Sequence, residues 1–386
     1  MEHTAVTVLE VGTILLAAAA AGWLARRATL PAIVGYLAVG LAVSPFTPGY
    51  VADREQVSLF AEVGAVLLLF EVGIEVDLRE LRREHPAVLW AAPLQMGISF
   101  GLSLAAFAYL GLDVGGAALL GLAVAMSSSV VVVNITRSRR RTTNRETEHL
   151  LIGWSVLQDV IGVAVAIILL AAIGAGRPFE LTLLGIVGFG ALAILSARIL
   201  PRVLARIRSE PDLFLAVSVA AGLAVAGAGA LLTGIPLALA AFVAGLTITE
   251  GPVSAEARKR LLPFRDLFAI FFFVSIGTLI DPSALGRGLG WLVLSLALVV
   301  VGKTLVIYLL GRLARLPANA GQLAVGLGQI GEFGFVLATV AVARGVLPSE
   351  VYAALLAAVA ASIAASSIAV RLMRPTPAPV PSAAAG

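Results

Sequence analysis

Residues 150–173 read LLIGWSVLQDVIGVAVAIILLAAI, an almost wholly apolar run with Gln158 and Asp159 at its middle. As a helix, a run of that length crosses the roughly 30 Å hydrocarbon core of a bilayer. A charged side chain at the bilayer centre costs roughly 2.5–3.5 kcal/mol on insertion scales, so an intramembrane aspartate marks a functional site by default. The plainer reading is an inert hydrogen bond between helices.

Composition extends the reading to the whole chain. Of 386 residues, 60% are hydrophobic and 13% charged, and mean hydropathy is +1.01; soluble globular domains are not built this way. The absence of cysteine excludes disulfides, thiolate catalysis and cysteine-ligated metal clusters. His3, His85 and His149 are too scattered for a resident metal site, and no cofactor is expected. The net charge of +4 does not point to nucleic acid, because the basic residues fall in the short loops between apolar runs.

Thirteen apolar stretches qualify as spans, at about 5–25, 31–43, 57–75, 86–109, 116–136, 148–173, 180–207, 212–231, 236–249, 263–279, 289–314, 320–344 and 350–373. With the N-terminus outside, 22 of the 27 Lys and Arg fall on the inner side, Arg54, Arg177, Arg287 and Arg344 on the outer, and Lys303 within a span. Cytoplasmic loops accumulate such residues, so the asymmetry supports the parity of the count and a cytoplasmic C-terminus. The first span lacks a basic leading flank and is followed by Arg26-Arg27, which reads as a retained helix rather than a signal peptide. The chain thus reads as an all-α polytopic membrane protein over residues 1–374, with a disordered proline-rich tail at 375–386.

Spans 1–6 begin outside and spans 8–13 inside, so a seven-span offset relates two inverted six-helix repeats with span 7 as linker. Span 5 carries Ser127-Ser128-Ser129, and its counterpart, span 12, carries Gly326-Leu327-Gly328-Gln329-Ile330-Gly331-Glu332-Phe333-Gly334. Glycine weakens a helix by about 1 kcal/mol per residue, and unwound backbone survives in lipid only where protein or a water-filled cavity satisfies it. Both spans are candidates for broken helices, and paired breaks in opposite halves point to a transport site near the midplane. Small residues also serve close helix packing, the plainer reading for most Ala and Gly here; span 12 differs because Glu332 is embedded in its break.

Ser155, Asp159 and Gly162 share a face of span 6. Asp159, Ser155, Ser128 or Ser129, the Gln158 amide and freed carbonyls form an oxygen set suited to a monovalent cation. One buried carboxylate holds a proton or a metal cation near neutral pH but hardly both, and that competition couples two fluxes. Lys303 is the lone basic residue within a span in a chain with 25 Arg and 2 Lys; it suits a titrating counter-ion or, equally, a structural salt bridge to Glu332 or Asp159. Glu71 and Glu75 lie one turn apart near the inner end of span 3, as pathway residues or, for Glu75, as a partner of Arg79. Arg265 and Asp266 read as an interfacial anchor.

Six segments in order, LLLFEVGIEVD at 67–77, SSSVV at 127–131, LQDV at 157–160, AGL at 244–246, FFFVSIG at 271–277 and GQIGEFGF at 328–335, resemble the Kef branch of the monovalent cation:proton antiporter-2 family over about residues 5–373. The resemblance implies a core domain with two crossed broken helices, a separate dimerisation domain and hence a homodimer, and elevator-like alternating access. It places the ion-binding aspartate on Asp159, preceded as in potassium-linked members by Gln158, with charge-compensating residues at Lys303 and Glu332. Kef proteins usually carry a fused nucleotide-binding regulatory domain, so regulation of that kind would fall to a separate subunit here. The expectation is a proton-coupled exchanger of K+ or Na+ in a prokaryotic plasma (inner) membrane, not an enzyme. A channel-like potassium pathway would want a TVGYG-like filter, and a sodium-coupled organic anion carrier would want a polar cavity with an Arg or Asn cluster. Asn134 is the only Asn within a span.

Overall fold

In a computed structural model, residues 2–28, 30–48, 54–76, 86–129, 131–132, 143–173, 179–248 and 252–373 are described, and all their regular structure is helical. The tail at 375–386, Arg79 and Asn134 lie outside them. The helices are α1 (Glu2–Arg27), α2 (Ala32–Ala42), α3 (Arg54–Glu75), α4 (Pro86–Tyr109), α5 (Val114–Ala125), α6 (Arg145–Ala172), α7 (Phe179–Arg206) and α8 (Pro211–Thr233). They continue as α9 (Leu237–Gly245), α10 (Pro252–Thr278), α11 (Pro282–Arg287), α12 (Leu289–Leu313), α13 (Ala320–Leu327), α14 (Phe333–Ala343) and α15 (Ser349–Leu372). Among the described residues, eight helices are long and apolar enough to cross a membrane, and α2, α5, α9 with its following turn, and α14 are shorter apolar helices.

Local chemistry sets the starts. Asp113 caps α5 through the N–H groups of Gly115 and Gly116, Asn144 caps α6 through Thr147 N, and Asn319 caps α13 through Gly321 N and Gln322 N. Asp281 caps α11 through Ser283 N, and hydrogen bonding from Ser283 holds its carboxyl below the ordinary value. Pro31 and Pro236 precede α2 and α9, where a missing N–H costs nothing. Gly234 closes α8 in the left-handed conformation, φ 73°.

Substantial packing falls within two bundles. One comprises α1, α2, α3, α7, α8, α9 and α10, and the other α4, α5, α6 and α11 to α15. Two close crossings hold the first together. A Cβ on Gly40 of α2 would strike Val274 O of α10, and one on Gly277 would strike Leu37 O; likewise Gly73 of α3 faces Phe242 O of α9, and Gly245 faces Phe70 O. Without Cβ atoms the backbones approach closely, the usual means of helix association in lipid. Between the bundles run edge-on aromatic contacts, Phe242 with Phe333 and Phe273 with Phe335, at 5.9 Å each. Large apolar side chains of α1 and α7, including Leu9, Leu16, Leu184 and Val187, face outward, as lipid-facing helices require.

In the second bundle, helix stops at two places. Residues 126–128 follow α5 in non-helical conformation, with Met126 extended at φ −88°, ψ 144°, and residues 328–332 separate α13 from α14. A third irregularity was not expected from the sequence: Leu298–Thr304, within α12, forms a π-helical segment that contains Lys303.

Candidate functional site

The two breaks touch. Gly331 N donates to Met126 O at 3.1 Å, Ser127 Oγ to Leu327 O at 2.8 Å, and Gln329 Nε2 to Ser128 O at 3.4 Å. A Cβ on Gly331 would lie 2.6 Å from Ser127 O and 2.7 Å from its carbonyl carbon, so only glycine lets the chains cross here. Unwound backbone at each break thus finds its partners in the other.

Lys303 closes the crossing. Fully buried, its ammonium donates to Met126 O and to Gln329 O, both at 2.6 Å, one carbonyl from each break. The sequence left counter-ion and salt bridge open; in this structure the hydrogen bonds of Lys303 go to main-chain carbonyls. A π segment is wound wider than an α-helix, with i to i+5 hydrogen bonds, and often occurs at functional sites; here it contains the lysine and ends at Thr304, whose hydroxyl donates to Val299 O.

Asp159 is 1% exposed on α6, with buried Ser155 one turn before it. Gly162, close to one turn after it, lies against the Met126 side chain, so α6 packs onto the first break. Asp159 lies next to Ser129 and within Coulombic reach of Glu332 and Lys303. Ser129 Oγ donates to Glu332 Oε1 at 3.1 Å, and Ser128 Oγ accepts from Val131 N at 3.2 Å. Gln158 turns its amide to the protein: Oε1 accepts from Ser127 N at 3.2 Å, and Nε2 donates to Gln95 Oε1 at 2.5 Å.

Asp159 Oδ1 and Oδ2, Glu332 Oε2 and Gln329 Oε1 are buried without a hydrogen-bond partner among the described residues. All four are oxygen acceptors. Buried polar atoms are nearly always paired, and each exception calls for an explanation. An oxygen-only set holding two carboxylates fits a hard monovalent cation or a proton, either of which takes up the unused oxygen lone pairs.

Glu71 and Glu75 belong to a different cluster. Arg258 on α10 meets Glu71 at 2.5 Å and Glu75 at 2.6 Å, and Arg265 meets Glu71 at 2.8 Å and Asp266 at 2.6 Å. Arg265 therefore holds a buried carboxylate of α3 as well as its neighbour. The cluster lines a cavity of about 1060 Å³ that lies between the bundles and reaches Ser129. Sequence reasoning missed Arg258 as a partner, since its position among loop-side basic residues gave no reason to separate it from a membrane-surface anchor.

Comparisons with known proteins agree with this architecture. The family model for the transmembrane sodium/hydrogen exchanger matches residues 14–373. The chain is 31% identical over 369 residues to the putative cation/proton antiporter YbaL of Escherichia coli K12, covering 90% of this chain and 65% of the relative. It is 32% identical over 360 residues to the glutathione-regulated potassium-efflux protein KefC of Salmonella typhimurium LT2, covering 91% of this chain and 58% of that one. The chain therefore spans less than two thirds of the length of these curated relatives. The solved structure of the sodium proton antiporter MjNhaP1 from Methanocaldococcus jannaschii at pH 8 superposes with a TM-score of 0.74 over 96% of this chain and 99% of that one, at 17% identity, a likeness of fold.

Proposed function

The chain belongs to the transmembrane sodium/hydrogen exchanger family, and from that premise we propose that it exchanges a monovalent cation, K+ or Na+, for a proton by alternating access, with Asp159 binding the two in competition. The observation that carries the reading is the set of four donor-free oxygens at the crossing, two of them on Asp159. A bare carboxylate is costly to carry through a low-dielectric barrier, so the core crosses readily only when the set holds a cation or a proton. That restriction makes the cycle an exchange. Glu332, anchored by Ser129, supplies the second carboxylate, Ser128 and Ser155 add hydroxyls, and Lys303 offsets negative charge while holding both breaks.

The moving unit we propose is the bundle of α4, α5, α6 and α11 to α15, sliding against the other bundle across the Phe242–Phe333 and Phe273–Phe335 contacts. The cavity lined by Glu71, Glu75 and Arg258 leads toward Ser129 and gives the ion its route. Its arginines belong to the basic side of the sequence, so it faces the cytoplasm with the N-terminus outside. The inverted repeat is supported by the paired crossings: Pro31 and Pro236 each precede by nine residues the glycine, Gly40 or Gly245, that meets Gly277 or Gly73. Spans 2 and 3 correspond to spans 9 and 10 on that relation. The outward apolar faces of α1 and α7 offer the surface for a homodimer.

The similarity to a potassium-efflux protein makes K+ the first ion to test. In proteoliposomes carrying a preformed pH gradient, K+, Na+ and Li+ are added in turn to wild type and Asp159→Asn. Cation-dependent collapse of the gradient by wild type alone is expected; collapse by the asparagine variant would remove Asp159 from the mechanism, and current without a proton gradient at rates far above carrier turnover would favour a channel.

A further inference from the structure

Behind the crossing lies a second polar centre that the exchange reading does not use. Gln95, on α4, is fully buried in an otherwise apolar helix. Its Oε1 accepts from Gln158 Nε2 at 2.5 Å and from Trp154 Nε1 at 3.2 Å. Its Nε2 donates to Ala125 O at 3.3 Å and to Ser99 Oγ at 3.0 Å. Ser99 Oγ in turn donates to Gly302 O at 2.7 Å, the residue before Lys303. One carboxamide therefore ties together the end of α5, the helix bearing Asp159, and the π segment bearing the lysine.

The orientation of this network is fixed by partners that can act only one way. An indole N–H only donates, so the Gln95 atom facing Trp154 is the oxygen; a carbonyl only accepts, so the atom facing Ala125 is the nitrogen. The same logic runs one step on. Gln95 offers oxygen to Gln158, so Gln158 presents its NH₂ there and its oxygen to Ser127 N–H, another group that only donates. All four hydrogen-bonding positions of Gln95 are filled, two donors and two acceptors.

We propose that Gln95 is a positioning residue for ion exchange: by locking the Gln158 amide it holds Ser127, and with it the hydroxyls of Ser128 and Ser129, in the register that leaves Asp159 without a protein donor. The inference rests on the reading of Asp159 as the exchange carboxylate. Gln158 then serves as a clamp on the broken helix, and its amide oxygen is spent on Ser127 rather than offered to the cation. Without Gln95, the Gln158 NH₂ and the Trp154 N–H become buried donors with no acceptor. Freed of that partner, the Gln158 amide no longer fixes Ser127, and the hydroxyls that follow it lose the register the cation needs.

The test uses the full chain in proteoliposomes, with K+ as the probe and Na+ in parallel. Gln95→Leu keeps the volume and removes every hydrogen bond. The expected result is a rise of about tenfold or more in the K+ concentration for half-maximal exchange, with the maximal rate within about threefold of wild type. Because Gln95 acts through Gln158, the double variant Gln95→Leu/Gln158→Leu should be no worse than about twofold beyond the single. An unchanged half-saturation, or independent, multiplying effects in the double variant, overturns the proposal.

Gln95→Glu covers the case in which the leucine variant fails to fold. It keeps the acceptor for Trp154 and Gln158, and can donate to Ala125 O only when protonated. Exchange near the wild-type rate at acidic pH, lost on the alkaline side more steeply than in wild type, is expected; the titratable groups nearest the network are Asp159, Glu332 and Lys303, present in both proteins. A wild-type pH profile in this variant also overturns it. Asp159→Asn, measured alongside, keeps the two ideas apart: if it still exchanges, the reading of Asp159 fails whatever the Gln95 variants do.

Discussion

Replacing Lys303 by methionine keeps most of the stem packing and removes only the ammonium. Two hydrogen bonds of 2.6 Å are lost, leaving Met126 O and Gln329 O, one in each break, without this donor. A buried acceptor stripped of its partner costs about 1–3 kcal/mol, so the two cost about 2–6 kcal/mol. Part of this is returned because a fully buried charge no longer has to be kept out of water, which places the net near the lower end, about 2–3 kcal/mol. With an unfolding entropy of about 2.1 cal/mol/K per residue, that corresponds to a fall in Tm of about 2.5–3.7 °C for a chain of 386 residues. Intrinsic tryptophan fluorescence during heating in detergent reads the shift, and exchange by the variant in proteoliposomes should fall by at least about tenfold. Combination with Asp159→Asn separates two roles. A lysine that chiefly holds carbonyls gives losses that add within about 0.5 kcal/mol, whereas a lysine that chiefly pairs with Asp159 gives a double variant no less stable than the asparagine single. The second outcome, or a Tm equal to wild type in Lys303→Met, would refute the clamp.

Three further outcomes follow from the same geometry. Gly331→Ala places a Cβ 2.6 Å from Ser127 O, where backbone cannot give way, and should destabilise by about 1–3 kcal/mol and abolish exchange together; a stable, active alanine variant would mean the breaks do not cross. Removing both Arg258 and Arg265 leaves Glu71, 1% exposed, without its cations and should cost about 3–5 kcal/mol, while Glu71→Gln leaves Arg258 with Glu75 and Arg265 with Asp266 and should cost under about 2 kcal/mol; thermal unfolding that reverses this order would contradict the pairing. Gly73→Ala and Gly245→Ala should each lower Tm and by similar amounts, because each Cβ meets a backbone carbonyl of the facing helix, whereas Gly97→Ala meets nothing within 4 Å and should be neutral or stabilise by up to about 1 kcal/mol.

The sequence made the membrane, the helices and the costly carboxylate legible, because each rests on a property of single residues or short runs. Apolar length shows a span, and Ser127-Ser128-Ser129 and the glycines around Glu332 show where a helix weakens. What stayed hidden depends on which residues meet in space. Lys303 stood out as a basic residue within a span, but its binding to two carbonyls, and the π segment that holds it, appear only once both breaks have crossed beside it. Arg258 looked like any loop-side arginine and Arg265 like an interfacial anchor, and it takes the packing of α3 on α10 to bring both to Glu71. Gln95 was missed although a signal existed: Gln95, Ser99 and Ser103 recur every four residues on one face of an apolar helix, and all three are buried.

Competition for one carboxylate is tested most directly by the K+ concentration for half-maximal exchange as a function of pH, in wild type and Asp159→Asn. If cation and proton share Asp159, half-saturation in wild type rises as pH falls, with a slope approaching tenfold per pH unit on the acid side, and the asparagine variant shows no saturable exchange at any pH. A half-saturation independent of pH, or saturable exchange in Asp159→Asn, would contradict it.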